Sequence, residues 1–211
     1  VGAGVLNSLI SRNDIRSLKY TGTSGYGGKG IDVQTGVAAS NLTIANNFIS
    51  DLSGDGWTTL TSDAIIGIRL GTGSTVGGIN VYYNSVNLFG NADRASSSTL
   101  SAALYVGAGA SGLDIRNNIF KNEIVNTLTA TAKAYAINSA SAASAFTAIN
   151  NNDYYAAGSQ GILGLINAAD VTTLSAWQTA TGQDGASVSV VPVFVSNTDL
   201  HLANNANQCL D

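Results

Sequence analysis

Short alternations of apolar and polar residues run along the chain and end repeatedly on asparagine. Four copies read Ile10-Ser-Arg-Asn13, Ile44-Ala-Asn-Asn47, Val81-Tyr-Tyr-Asn84 and Ile115-Arg-Asn-Asn118, and a looser fifth reads Ala148-Ile-Asn-Asn151. The anchor asparagines are spaced by 34, 37, 34 and 33 residues. A fixed period of this size marks a stacked repeat. A second phrase precedes each of the last four: Gly30-Ile-Asp-Val33, Ile65-Ile-Gly-Ile68, Ala103-Leu-Tyr-Val106 and Tyr135-Ala-Ile137. The residues after the asparagine alternate as well, as in Val86-Asn-Leu88 and Ile119-Phe-Lys-Asn-Glu-Ile124. A period of two is that of a β-strand. Each repeat therefore contains a first, a second and a third strand. The runs are too short and too rich in β-branched residues, Gly and Asn for helix.

Three short strands per repeat, with small residues and loops of variable length, predict an all-β fold. Each strand pairs with its equivalent one coil on, about 4.8 Å away. The asparagines read as structural: Asn suits the left-handed backbone of a sharp turn, and its amide can donate and accept along a column. The expected ladder is Asn13, Asn47, Asn84, Asn118 and Asn151. Tyr82, Tyr83, Tyr154 and Tyr155 adjoin it and fill space beside the turns.

The pattern G-I-x-V, a turn, then N-L-T-I-x-N-N-x-I resembles the right-handed, pectate-lyase-like β-helix superfamily over Val1 to Tyr155. The resemblance implies a right-handed parallel β-helix of about five coils, residues 1–158, followed by a capping segment, residues 159–211. Thr172 or Thr173 can cap a short helix, Leu174–Thr181, which Gly182 can end. The closing stretch from Trp177 to Leu202 resembles that of large secreted β-helix proteins from Bacteroidota and related bacteria. There it would seal the open apolar end, with Trp177 as the plug.

Composition narrows the function classes. Charged residues are 10% of the chain, and the net charge is −4 with no basic cluster, so the electrostatic footprint of a nucleic-acid binder is missing. No apolar run reaches the roughly 18 residues of a membrane helix. Methionine is absent, and Val1-Gly-Ala-Gly4 repeats Val106-Gly-Ala-Gly109. Both suggest a first coil entered mid-strand, with adjoining coils of a longer precursor or neighbouring subunits as partners. A single cysteine, Cys209, makes no internal disulfide framework.

In β-helix enzymes of the resembled superfamily, the site lies on the outer face of the first strand and its loops. Alternation places Asp32, Gly67, Tyr105 and Ala136 in one outward column there, and Gln34, Arg69, Gly107 and Asn138 in the next. Family lyases use acidic calcium ligands and a basic group; family hydrolases use grouped carboxylates. This face offers one Asp and one Arg, which a surface ion pair explains. Asp55, Asp63 and Asp93 fall on the third connections. His201 falls in the closing segment, away from this face. One Cys and one His make no zinc site, so neither metal nor cofactor is expected. The sequence thus favours a non-catalytic structural or adhesive module of a secreted or surface protein, stacking end to end. The alternatives are a carbohydrate-binding module using Asp32, Arg69, Tyr105 and Trp57, with polysaccharide as partner, and a polysaccharide lyase or glycoside hydrolase.

Overall fold

The computed structural model describes residues 1–21, 27–54, 64–72, 75–92 and 100–203. It is a parallel β-solenoid with three strands to a coil. The second strands are Leu9–Ser11, Leu42–Ala45, Val76–Tyr82, Ala110–Arg116 and Phe146–Asn150, which stack in chain order into one sheet. The third strands, Asp14–Ile15, Phe48–Ser50, Ser85–Asn91, Ile119–Val125 and Asp153–Ala156, form another. The first strands are Lys29–Val33, Ile65–Leu70, Leu100–Val106, Lys133–Ser139 and Gly161–Ile166. Ala169–Val171 closes their sheet as an antiparallel strand.

Stacking puts like residues on like residues. Ile10, Ile44, Val81, Ile115 and Ile149 form one inward column, and Ile15, Ile49, Val86, Phe120 and Tyr154 another. From the second coil onward these side chains are almost wholly buried. Such columns suit β-branched residues, whose stiff side chains pack rung on rung.

The turn between second and third strands explains the asparagine phrase. The left-handed residue is not the ladder asparagine but the one before it: Arg12, Asn46, Tyr83, Asn117 and Asn151 have φ between 56° and 60°. The next residue points its amide inward. Asn47 and Asn84 illustrate the rule: the backbone N–H and Nδ2 of Asn47 both donate to Asn84 Oδ1, at 3.1 and 2.9 Å. The same pair of bonds joins Asn13 to Asn47, Asn84 to Asn118, and Asn118 to Asn152. From Asn47 onward each Nδ2 also reaches back to a carbonyl of the preceding coil, as Asn84 does to Ile44 at 2.9 Å. The fifth rung is therefore Asn152, not Asn151. Three consecutive asparagines, 150 to 152, hid the phase, and Asn151 instead supplies the left-handed turn residue.

The far end is sealed. Thr173 Oγ1 accepts from the Ala176 N–H, and Gly182, at φ 68°, ends the helix Leu174–Thr181. Trp177 is fully buried and packs its ring beside Phe146 and Tyr154. Its Nε1 donates to Asp184 Oδ2 at 2.7 Å, which also accepts from the Tyr154 hydroxyl at 2.8 Å. Ser187 ends the ladder by accepting from the Asn152 N–H at 2.8 Å. Beyond this plug the chain turns back along the third-strand sheet. It touches the fifth coil at Val188, the third at Asn197 and the second at His201. Cys209 lies outside the described residues.

Asn84 is 1% exposed, and truncating it strands buried donors and acceptors in two neighbouring coils. Asn84→Ala is expected to cost about 3 kcal/mol in urea unfolding. Tyr83→Asn relieves a bulky residue in the left-handed region and is expected to stabilise by about 0.5–1 kcal/mol in the same measurement.

Candidate functional site

The outer face of the first-strand sheet has a different register from the one alternation gives. Asp32 lies beside Arg69, Arg69 beside Tyr105, Tyr105 beside Asn138, and Asn138 beside Leu165. These residues form a single column. Gly67 and Ala136 do not join it, because the first strands bend at this point. Two successive residues then face inward, as Ala103–Leu104 and Ala136–Ile137 do in the core. A Cβ on Gly67 would lie 2.4 Å from Val86 Cγ1 and 2.5 Å from the Ala103 carbonyl oxygen, so in this coil the bend requires glycine, where later coils carry Ala103 and Ala136. The bend breaks the period of two, and positions two residues apart then look equivalent.

Within the column, Arg69 grips Asp32 with both arms of its guanidinium. Nε donates to Oδ1 at 2.8 Å and a terminal nitrogen to Oδ2 at 2.5 Å. Gln34 Nε2 adds a bond to Oδ2 at 3.1 Å. Burial alone would raise the Asp32 carboxyl, but Arg69 and then Gln34 overcome it and hold the group below its ordinary value. Arg69 is only 4% exposed and Tyr105 only 5%. Tyr105 joins Ile66, Ala102 and Tyr135 in an outward-facing apolar cluster, with Ile162 and Leu165 packed against it. Tyr135 donates to Asp170 Oδ1 at 2.9 Å, and Lys133 donates to Oδ2 at 2.5 Å. The charges on this face are thus spent on one another. A carboxylate locked by a guanidinium is a poor general base, and a buried phenol offers no flat surface to a sugar ring. Trp57, Asp55, Asp63 and Asp93 lie outside the described residues. Among the described residues no three His, Cys, Asp or Glu side chains converge on a metal site.

Two other faces carry polar groups. On the second-strand sheet Arg116 holds Asp114 by two bonds of 2.6 Å and lies over the Tyr82 ring at 5.4 Å. Beside the asparagine turns runs a groove of about 460 Å³, lined by Tyr83, Asn117, Asn151, Asp153, Val188 and Leu202 among others. Asp153 is 1% exposed. Its Oδ1 accepts from the Val190 N–H at 3.0 Å, whereas Oδ2 has no hydrogen-bond partner. Sequence reasoning passed over Asp153: it stacks in the column of Asp14, Phe48, Ser85 and Ile119, and it differs from the exposed Asp14 by its burial, which the repeat does not show. His201 lies against this side of the solenoid, 4.9 Å from the Phe48 ring and 2.6 Å from Asp199 Oδ1. Its contact is with the third-strand sheet, across the fold from Asp32.

No protein-family model, curated protein or solved structure matches the chain.

Asp32→Ala leaves the buried Arg69 without its carboxylate and is expected to cost about 2 kcal/mol at pH 7 by urea unfolding. Arg69→Met in the same chain should recover part of the loss. The stabilisation from a lowered carboxyl is present above its unfolded value, 3.8, and is lost as pH falls through the lower folded value. The gap between wild type and Asp32→Ala should therefore narrow below about pH 4.

Proposed function

We propose that the chain is a non-catalytic structural or adhesive β-solenoid module of a secreted or surface-exposed bacterial protein. The observation that carries this reading is the closed column Asp32–Arg69–Tyr105. In the pectate-lyase-like superfamily that the repeat resembles, this is the face that acts on polysaccharide. Here its charged groups cross-link adjacent coils and its aromatic ring is buried.

The ends favour stacking on one side only. The coil containing Leu9–Ser11 and Asp14–Ile15 is paired on a single side in both sheets. Leu6, Leu9 and Leu18 are exposed there. The asparagine-to-asparagine bonds are directional, since each rung donates to the Oδ1 of the next one toward the plugged end, and Asn13 leaves its Oδ1 toward the open side. The partner that suits this edge is another coil of the same kind, with an asparagine turn to donate and an apolar column to cover Ile10. The opposite end has the helix and Trp177 across it.

Carbohydrate binding is the second reading, and it moves to a different face. Tyr83 is 59% exposed beside the groove, whereas Tyr105 has no free surface to stack on a sugar.

Turnover assays on uronic-acid and neutral polysaccharides, with and without calcium, are expected to show no product. Cleavage of any of them would overturn the non-catalytic reading. In sedimentation experiments the open edge should give concentration-dependent association that ends at small discrete species. Leu9→Lys, which puts a charge on that edge, should weaken the association by roughly tenfold. Long filaments, or association unchanged by Leu9→Lys, would count against one-sided stacking.

A further inference from the structure

The segment beyond the plug is a strap lying lengthwise along the solenoid. In the fifth coil it is tied by the Val188 N–H to the Asn152 carbonyl at 2.9 Å, the Tyr154 N–H to the Val188 carbonyl at 3.1 Å, and Ser189 Oγ to the Tyr154 carbonyl at 2.8 Å. Further down, Asn87 Nδ2 donates to the Asn197 carbonyl at 3.0 Å, and His201 meets the Phe48 ring. Between these ties the packing is loose. A space of about 230 Å³ lies between Lys121 and Pro192, Phe194 and Asn197. Val191, Val193 and Val195 face solvent. Among the described residues two buried side-chain atoms have no hydrogen-bond partner, Asp153 Oδ2 and Asn87 Oδ1. Both side chains bond the strap through their other polar atom. Both of these unsatisfied atoms therefore lie where the strap crosses the third-strand sheet.

We propose that this strap is a pH-operated latch, closed while the Asp153 carboxyl is neutral and released when that carboxyl ionises. A neutral carboxyl suits the site. Its Oδ1 accepts from Val190, and Oδ2 carries the proton in a place closed to solvent. An ionised one would keep its charge there with a single N–H for support, which a buried charge does not tolerate. Among the described residues no cation neutralises it. The strap from Ser187 to Asn197 has no titratable side chain. On the neighbouring third strand, Lys121 is held by Glu123 at 2.9 Å and lies over the Tyr155 ring. On Asp153's own strand, Tyr154 turns its hydroxyl inward to Asp184, which is itself engaged by Trp177 and Ser187. The groove beside Asp153 adds only the Tyr83 phenol. The remaining pair, Asp199 and His201, belongs to the far end of the strap.

Burial pushes the Asp153 carboxyl up to about 7, with the Val190 N–H pulling the other way. A released strap would return it toward 3.8. For a raised carboxyl, the closed state gains its full advantage below the open-state value. That advantage falls as pH rises between the two values and is gone above the higher one. The latch is therefore tight in mild acid and loose above neutrality. Release opens the groove beside Tyr83 and uncovers Phe48, Ile119 and Asp153.

Amide hydrogen exchange of the intact chain between pH 5 and pH 8, corrected for intrinsic rates, tests this. Protection at Tyr154, Val188 and Val190 should fall by roughly 100-fold or more, while core amides such as Val81 and Ile115 stay protected. Asp153→Asn should abolish the pH dependence, and His201→Gln should preserve it. Three results would overturn the latch: a flat wild-type profile, a pH dependence that survives in Asp153→Asn or vanishes in His201→Gln, or core amides that lose protection in step with the strap. Should Asp153→Asn not fold, carbon-detected titration of the Asp153 carboxyl in the wild type decides instead. Its midpoint must coincide with that of the strap amides, and separate midpoints refute the proposal.

Discussion

Everything in this fold depends on a buried amide finding its partners one coil away. An asparagine side chain shut off from water must have its donors and its acceptor met, or the coil is destabilised by several kcal/mol. Asn47, Asn84 and Asn118 meet that demand by taking two bonds from the coil before and giving two to the coil after. Register follows from this. A third strand cannot slide against its neighbours without pulling an amide off its rung, so the apolar columns have little freedom to mispair. Hydrophobic burial supplies most of the stabilisation, as in any stacked sheet. The amides decide which stacking is the stable one.

The solenoid was legible in the sequence because its repeat is chemical as well as spatial. A left-handed residue followed by a ladder asparagine is written out as Asn46-Asn47 and Asn117-Asn118, and the apolar position two residues before the turn never changes character. Legibility failed where the chemistry was degenerate. The run Asn150-Asn151-Asn152 offers three candidates for one rung, and only hydrogen bonding to Asn118 selects Asn152. On the first strands the bend at Gly67 puts two inward residues side by side. Counting by twos across it then put Arg69 and Asp32 in adjacent columns, although their ion pair was expected and is present. Asp153 escaped notice because its importance comes from what covers it. The strap pairs with it 35 residues further along, at the position of a next third strand, but there the asparagine phrase that marks the other coils is missing.

The polar chemistry of the surface falls into two kinds. Asp32 with Arg69, Asp114 with Arg116 and Asp170 with Lys133 are complete within themselves, and the first and last of them brace neighbouring strands against each other. Asp153 is incomplete, with one oxygen served and one not. Paired groups of the first kind fit a scaffold. The second kind carries a cost in the closed state, and such a cost is what lets a segment let go. The paired groups belong to the first- and second-strand sheets and Asp153 to the third, so the strap can move without disturbing the braced faces.

The ladder also separates how long the protein is from how many residues it has. Successive rungs stand 34 or 37 residues apart in the chain, yet each adds the same distance of about 4.8 Å along the axis. The extra residues of the wider interval contribute nothing to height. The axial dimension is thus quantised in asparagines. Loops can lengthen, shorten or change composition over time while the spacing of whatever the surface displays stays fixed, like stops on a rail.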